Sequence, residues 1–231
     1  MKMKSVLLCV LLCLTLLLSA CATNGSPVSS TDEVQLDPLP PPEPDGGPFG
    51  VDVNININTI DDFLERSDVK YIDVRMFYDP ADFPAIGGIA ELTQTLPGYR
   101  IVPFPFIGTL SAMPVDGAYD GDTLFSIVWG EGHEIVEVKA NFAESELILS
   151  ELFPKDKIIF LMCGGGGYSA LTRALLVNQG WDANMIYNTG GNWHYEGNRS
   201  VDLTISGDAS RIATWRANYA LIDFEHLRPA S

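Results

Sequence analysis

The chain has 231 residues, with 30 acidic against 14 basic side chains and a formal net charge of −16 at pH 7. Binding to DNA or RNA requires a basic surface that neutralises phosphates, so this charge argues against a nucleic-acid-binding protein. The acidity is instead typical of a solvated surface, on which an anionic ligand would bind only where positive charge is concentrated locally.

Residues 1–20 show the three zones of an export signal. Two lysines precede an apolar run from Val6 to Leu18, and small residues follow it. The run is shorter than the ~20 residues that a transmembrane helix needs. Leu18-Ser19-Ala20-Cys21 resembles the lipobox of bacterial lipoproteins, which implies cleavage before Cys21 and lipidation of this cysteine, with palmitate among the acyl chains. We therefore expect an extracytoplasmic protein that is lipid-anchored to the cell membrane through Cys21; an ordinary signal peptide and an uncleaved anchor are the alternatives.

Residues 21–50 are expected to form a tether. Residues 22–50 hold seven prolines, concentrated in Pro38–Pro44, together with serine, glycine and acidic residues. A proline-rich chain stays extended at about 3.1 Å per residue, so this composition predicts a spacer between the membrane and a folded domain. A proline-motif ligand for a partner protein is the alternative interpretation.

The folded domain is expected over residues 51–231. Apolar and polar residues alternate over residues 51–57, which predicts a half-exposed strand. The pattern further predicts a helix that starts at Thr59, buried strands at Val69–Arg75, Ile158–Met162 and Met185–Tyr187, and a helix at Ser169–Gln179 closed by Gly180. Strands that alternate with helices in this way predict an α/β domain with a parallel sheet.

Two regions of the domain have weaker patterns. Residues 90–150, after the second predicted strand, form a long insertion that we expect to shape substrate access rather than to fold alone. Within it, Leu124–Trp129 and Ile135–Val138 predict a hairpin around residues 130–133. Helical spacing over Ser210–Tyr219 predicts a C-terminal helical extension within about residues 205–228.

Cys163 is the residue that points most directly to chemistry. Two of the other cysteines lie in the export signal and Cys21 would be lipidated, so Cys163 is left as the free thiol of the mature chain. It ends an apolar strand and precedes glycines 164–167 and a helix. Glycines can adopt positive φ and turn N–H groups towards the sulfur, and the helix N-terminus favours a thiolate. The alternative is an inert cysteine that packs as a small apolar side chain.

These residues resemble the rhodanese family. The strand that ends in Asp73-Val74-Arg75 resembles an early segment of that family, as do Asp82-Phe83 and Gly87-Gly88-Ile89. Lys155–Cys163 resembles the approach to its active-site loop, and Ser169–Trp181 with Ile186–Gly191 resembles the helix, strand and double glycine that follow. The resemblance covers roughly residues 55–90 and 150–197 and implies a rhodanese-like fold, in which helices flank a central, mainly parallel sheet interrupted by a long insertion after the second strand.

The resemblance implies a sulfurtransferase with Cys163 as its catalytic nucleophile. Cys163 would take sulfane sulfur from a small anionic donor such as thiosulfate and pass it, from a persulfide, to a thiol or a cyanide-like acceptor. The residues implied to bind substrate are Gly164, Gly165, Gly166, Gly167, Tyr168, Ser169 and Arg75. Neither a metal nor an organic cofactor is implied. Convergent N–H groups suit this chemistry because they stabilise negative charge on sulfur.

Other interpretations of the loop stay open. Family loops commonly carry an arginine and this one has none, which leaves a non-catalytic rhodanese-like binding or scaffold module as the alternative. A thiol redox protein is a third possibility, although no second cysteine lies nearby to resolve a mixed disulfide. A cysteine phosphatase is disfavoured because Ser169 occupies the position, six residues after Cys163, where that class needs an arginine.

Several titratable residues outside the loop are weaker candidates. Arg75 or Arg173 could supply the charge that the loop lacks. His194 follows the third parallel strand, whose end should lie at the same sheet edge as Cys163, and a hydrogen-bonded surface histidine is the alternative. Asp116, Asp120 and Asp122 lack a full calcium-binding loop and indicate an acidic turn, so no metal site is predicted.

Overall fold

The computed structural model describes residues 36–75, 94–111, 121–202, 204–205, 208–212 and 222–230. The chain divides into two compact units, residues 1–37 and 38–231, and the elements below belong to the second. The predicted export signal, Cys21, Asp82-Phe83 and Gly87-Gly88-Ile89 lie outside the described residues. None of the described helices is long and apolar enough to cross a membrane.

A four-stranded parallel sheet forms the centre of the domain. Its order is β3 (Arg100–Ile101), β1 (Val69–Asp73), β6 (Ile158–Cys163) and β7 (Ile186–Gly191). Strands β1 and β6 pair from Val69 opposite Ile158 to Asp73 opposite Met162. The apolar runs of β1, β6 and β7 are almost wholly buried, as expected for strands covered on both faces. The predicted α/β domain with a parallel sheet is thereby confirmed.

Helix α3 (Gly167–Asn178) joins β6 to β7 and packs on one face of the sheet. It ends near Gly180, whose φ of +88° is a conformation that favours glycine, so the predicted helix stop is confirmed. Two shorter helices complete the set described: α1 (Phe104–Ile107) and α2 (Ser145–Leu152). The sequence prediction placed the start of α3 two residues late, at Ser169.

The core divides into two layers because successive strand residues face opposite sides of the sheet. Phe160 and Met162 of β6 pack with Tyr71 and Tyr187 on one side. Leu161 and Cys163 point to the other side, where the buried face of α3 lies, and share a cluster with its leucines 171, 175 and 176. The thiol therefore faces the layer that contains α3.

The strand predicted over residues 51–57 is wrong. This segment is a series of turns and bends held by the buried carboxylate of Asp52, which accepts hydrogen bonds from the backbone N–H groups of Glu43, Asn54 and Ile55 at 2.6–2.9 Å. Local bonds from Asp and Asn side chains compete with strand pairing. Ile55 and Ile57 are buried even so, because they pack in the second layer with Ile60 of a 3₁₀ turn at Ile60–Phe63.

The predicted tether is shorter than expected, because residues 38–50 belong to the folded unit. We call these residues the N-terminal strap. The Tyr187 hydroxyl donates to the carbonyl oxygen of Pro40 at 2.7 Å, and Pro44 forms an antiparallel bridge with Asp52. The boundary drawn at residue 50 from proline content was wrong, because these prolines lie on the surface of the domain.

The region predicted as an insertion contributes to the domain core. It supplies β3, an edge of the central sheet, and the buried residues Phe104, Phe125 and Leu149 pack in the layer that contains α3. The predicted hairpin is confirmed as β4 (Phe125–Trp129) and β5 (Ile135–Ala140), which pair antiparallel. Two short strands, β2 (Gln94–Thr95) and β8 (Val201–Asp202), also pair antiparallel.

The predicted C-terminal helix is wrong where the structure describes it. Residues Asp208–Ile212 form β10, which pairs antiparallel with β9 (Thr204–Ile205). The following residues, 213–221, lie outside the described part of the chain. A single 3₁₀ turn at Phe224–His226 is the helical structure described within residues 222–230. Strand pairing supplies at residues 208–212 the backbone hydrogen bonds that the predicted helix would have made.

Candidate active site

Cys163 is the last residue of β6, at the carboxyl edge of the parallel sheet. The backbone N–H of Gly166 donates a hydrogen bond to its sulfur, with N and Sγ 3.0 Å apart. Gly166 is also the N-cap of α3, and the first N–H groups of a helix have no acceptor within the helix. The predicted arrangement of a thiol, a turned-in peptide N–H and a helix start is therefore present. The thiol is also well shielded, because Cys163 is only 3% exposed.

The glycines after Cys163 are not equivalent. Gly166 has φ +98°, which favours glycine, and a β-carbon at Gly164 would lie 2.5 Å from Cε2 of Trp193. A β-carbon at Gly165 or Gly167 would make ordinary contacts, 3.6 Å from Trp193 and 3.5 Å from Phe49 respectively. Glycine is therefore needed at two of the four positions, Gly164 and Gly166.

The end of β7 lies directly on the glycine loop. A β-carbon at Gly191 would overlap the carbonyl oxygen of Gly164 and lie 2.5 Å from the Cα of Gly165. The chain then turns through a 3₁₀ segment at Asn192–His194, where the N–H of Trp193 donates to the Gly164 carbonyl at 3.1 Å. The Trp193 ring thus covers the beginning of the loop, while 42% of the residue remains exposed.

The N-terminal strap contacts the other end of the loop. Phe49, which is 38% exposed, packs beside Gly166 and Gly167. The buried side chain of Asn188 joins strap and loop: its Nδ2 donates to the carbonyl oxygens of Phe49 at 2.8 Å and Gly166 at 3.2 Å. Its Oδ1 accepts from the N–H of Gly190 at 3.0 Å. Sequence reasoning missed this contact because the strap and β7 are about 140 residues apart.

We expect Asn188→Ala to lower the free energy of unfolding by about 1–3 kcal/mol, because it removes the bonds that join strap and loop and takes the acceptor from the buried N–H of Gly190. The strap should also detach more readily, which would be measured as faster proteolytic cleavage within residues 38–50. Asn178→Ala, at an exposed position on α3, is the control. Equal cleavage rates in the two variants would contradict the role given to Asn188.

Arg75, implied as a substrate contact, lies in a buried network. Its guanidinium donates to both carboxylate oxygens of Asp73 at 2.6–3.0 Å, to Oδ1 of Asn192 at 3.0 Å and to the carbonyl oxygen of Gln94 at 2.6 Å. Thr95 adds a hydrogen bond to Asp73 at 2.8 Å. The bond to Asn192 connects the end of β1 to the turn that carries Trp193, so Arg75 helps to position the Trp193 ring over the beginning of the loop.

Arg173, the other candidate cation, lies far along α3. Its side chain donates to the carbonyl oxygens of Ala183 at 3.2 Å and Ile186 at 3.1 Å, and its burial lowers the pKa of the guanidinium from its ordinary value. Ile186 begins β7, whereas Gly191 at the other end of that strand pairs with Cys163. Arg173 therefore fastens the helix at the opposite edge of the sheet and does not supply charge to the loop.

Tyr168 and Ser169 open the helix after the loop. Tyr168 is half-buried, with its ring centroid 6.3 Å from that of Phe104. Ser169 is fully buried, and its hydroxyl is the one buried side-chain N or O atom, among the residues described, without a hydrogen-bond partner. Sequence reasoning grouped Ser169 with the loop for its backbone amide and gave no role to its hydroxyl.

The histidines show no sign of a metal centre. His194 is exposed on the turn after β7, His133 lies in the β4–β5 turn, and His226 pairs with Asp223 at 2.7 Å on the surface. Within the described ranges no group of three His, Cys, Asp or Glu side chains is placed to hold a metal ion. Asp122 is exposed, and Asp116 and Asp120 lie outside those ranges.

Comparison of the chain with protein-family models, curated proteins and solved structures gave no match. The chemistry of the site is therefore inferred from its residues and their geometry.

Proposed function

We propose that this chain is an extracytoplasmic, rhodanese-like sulfurtransferase that carries sulfane sulfur as a persulfide on Cys163. The observation that carries the proposal is the 3.0 Å hydrogen bond from Gly166 N–H to Sγ at the start of α3. A peptide N–H and a helix N-terminus both stabilise negative charge on sulfur. They favour the attacking thiolate and the persulfide anion that replaces it.

The first half-reaction transfers sulfur to the protein. The Cys163 thiolate attacks the outer sulfur of a donor such as thiosulfate, and a new Sγ–S bond forms. The S–S bond of the donor breaks, and its electron pair leaves with sulfite. The outer sulfur on Cys163 then carries the negative charge, which the N–H groups around the loop stabilise as they would an oxyanion.

The second half-reaction returns the thiolate. With cyanide as acceptor, the carbon attacks the outer sulfur, a C–S bond forms, and the Sγ–S bond breaks with its electron pair returning to Sγ. Thiocyanate leaves, and a thiol acceptor would take the sulfur in the same way. These steps need a thiol and hydrogen-bond donors, so the proposal includes no metal or organic cofactor.

Access to the buried sulfur requires a side chain to move. The Trp193 ring lies on Gly164, the residue next to Cys163, and a large part of Trp193 is open to solvent. We propose that this ring swings away when a donor enters. Movement of one side chain that is already 42% exposed is a modest conformational step compared with loop closures in other enzymes.

Lipid attachment through Cys21 would place the reaction on the outer side of the cell membrane. Residues 22–37 would then form the tether, since the folded unit begins at Pro38.

We expect incubation with thiosulfate to add about 32 Da to the protein, the mass of one sulfur atom in a persulfide on Cys163. Later addition of cyanide should remove this mass and release thiocyanate. The measurement is intact-protein mass spectrometry, with the Cys163→Ser variant as control. A gain in that variant would place the sulfur elsewhere.

The second candidate is a non-catalytic binding module, favoured by the low exposure of Cys163. In that case the thiol would be a packing residue and Trp193 a fixed part of the surface. The same experiment separates the two functions: a native chain that gains no mass from thiosulfate, and none from an organic persulfide donor, is a binding module.

A further inference from the structure

Ser169 has a buried hydroxyl that its surroundings do not satisfy. Buried polar groups in folded proteins nearly always have a hydrogen-bond partner, and an exception calls for an explanation. The residue is completely buried, in the first turn of the helix that follows the glycine loop.

The usual acceptor for such a hydroxyl is present in the chain but accepts no hydrogen bond from Ser169. A serine or threonine inside a helix commonly donates to the carbonyl four residues earlier. Thr172, one turn further along α3, does this with the carbonyl oxygen of Tyr168 at 2.7 Å, and Ser150 of α2 does it with Glu146 at 2.9 Å. The corresponding acceptor for Ser169 is the carbonyl of Gly165 in the loop, and no such bond is formed.

Ser169 lies in the first turn of the helix that begins beside the thiol. It is the third helical residue after the N-cap Gly166, and helix side chains lean back towards the N-terminus. The N-cap N–H, three residues before Ser169, donates to Sγ of Cys163. Leu176, two helical turns after Ser169 on the same buried face of α3, shares a core cluster with Cys163, so the face that carries Ser169 is turned to the layer that contains the thiol.

We propose that the Ser169 hydroxyl donates a hydrogen bond to the outer sulfur of the Cys163 persulfide. This inference rests on the proposed function. The reduced thiol does not satisfy the hydroxyl, whereas the persulfide adds one atom beyond Sγ, and that atom carries the negative charge after sulfite leaves. The hydroxyl is thus an unpaired donor in the resting protein and a paired one in the loaded protein.

The test compares Ser169→Ala with the native full chain, purified in detergent, during loading with thiosulfate and after removal of the donor. We expect the alanine variant to form the persulfide roughly tenfold more slowly and to lose it faster, since a hydrogen bond to a charged group is absent. Ser169→Thr, which keeps the hydroxyl, should retain most of the native rate. Thr172→Val removes a satisfied hydroxyl from the same helix and should leave both rates unchanged.

Thermal unfolding separates the proposed role from a purely structural one, because loss of a structural hydroxyl would lower the stability of the resting protein. Removal of an unpaired buried hydroxyl should leave the resting protein as stable as before, or more stable. Native-like loading and decay in Ser169→Ala, or a clear loss of resting stability, would overturn the role of Ser169 and leave the proposed function intact. A native chain that gains sulfur neither from thiosulfate nor from an organic persulfide donor would overturn both.

Discussion

The Arg75→Leu variant is expected to lower the free energy of unfolding by about 3–5 kcal/mol, the cost of leaving one buried charge without its partner. Arg75 and Asp73 are 2% and 0% exposed, so water cannot replace the lost interaction. Asp73 would keep only its bonds to Thr95 and to the backbone N–H of residue 75. Urea unfolding followed by tryptophan fluorescence measures the loss.

A double variant separates charge burial from packing. In Asp73→Leu/Arg75→Leu no charge remains buried, so the loss of stability should be clearly smaller than the sum of the two single losses. Arg228→Leu is the matched control: Arg228 pairs with Glu144 on the surface, and its replacement should give no measurable change. Additive losses in the double variant would show that Asp73 and Arg75 act independently.

Gly191→Ala is expected to displace the glycine loop. The added methyl would overlap backbone atoms of Gly164 and Gly165, which cannot rotate away as a side chain can. We expect a loss of about 1–3 kcal/mol in unfolding free energy from this overpacking. Because the displaced loop would no longer aim the Gly166 N–H at Cys163, transfer of sulfur to cyanide should fall by about a hundredfold, the scale for losing one donor to a developing anion.

Gly165→Ala is the control for this effect. It adds the same methyl within the same loop, but at a position where the nearest atoms of Trp193 are 3.6 Å away and φ lies outside the region that favours glycine. Its stability and transfer rate should stay close to those of the native chain. If Gly165→Ala is as damaging as Gly191→Ala, the requirement for glycine does not come from the approach of β7 to the loop.

The elements that were predicted correctly are those whose residues have similar surroundings along the whole element. β6 is apolar along its length, β1 is apolar at three of its five positions, both strands are largely buried, and α3 has an apolar stripe and a glycine stop. Each of these signals depends on neighbours within one element. The hairpin β4–β5 was also predictable, because its two strands are joined by a short, glycine-containing turn.

The errors share a different cause. Residues 51–57 alternate like a strand, but the Asp52 carboxylate binds their backbone N–H groups and replaces strand pairing with turns. Residues 208–212 have helical spacing, yet they pair with β9. In both cases hydrogen bonds that the spacing of apolar residues does not register decided the structure.

The candidate site was predicted in part. Cys163 and the helix after it could be found from the sequence, because they are consecutive along the chain. Trp193, Asn188 and Phe49 were missed, since each reaches the loop from a distant segment. The available signals were an aromatic residue two positions after a double glycine and an apolar residue at the end of a proline-rich run, and neither is specific.

The sequence by itself determined that a thiol ends a buried strand and that a helix starts just after it, because strand, loop and helix are adjacent and their geometry is local. Only the tertiary structure decided how much of that thiol is exposed, which groups the Arg75 guanidinium binds, and at which positions of the loop glycine is needed. Those properties depend on close contacts between residues separated by tens to more than a hundred positions, and packing at that range is set by the whole core.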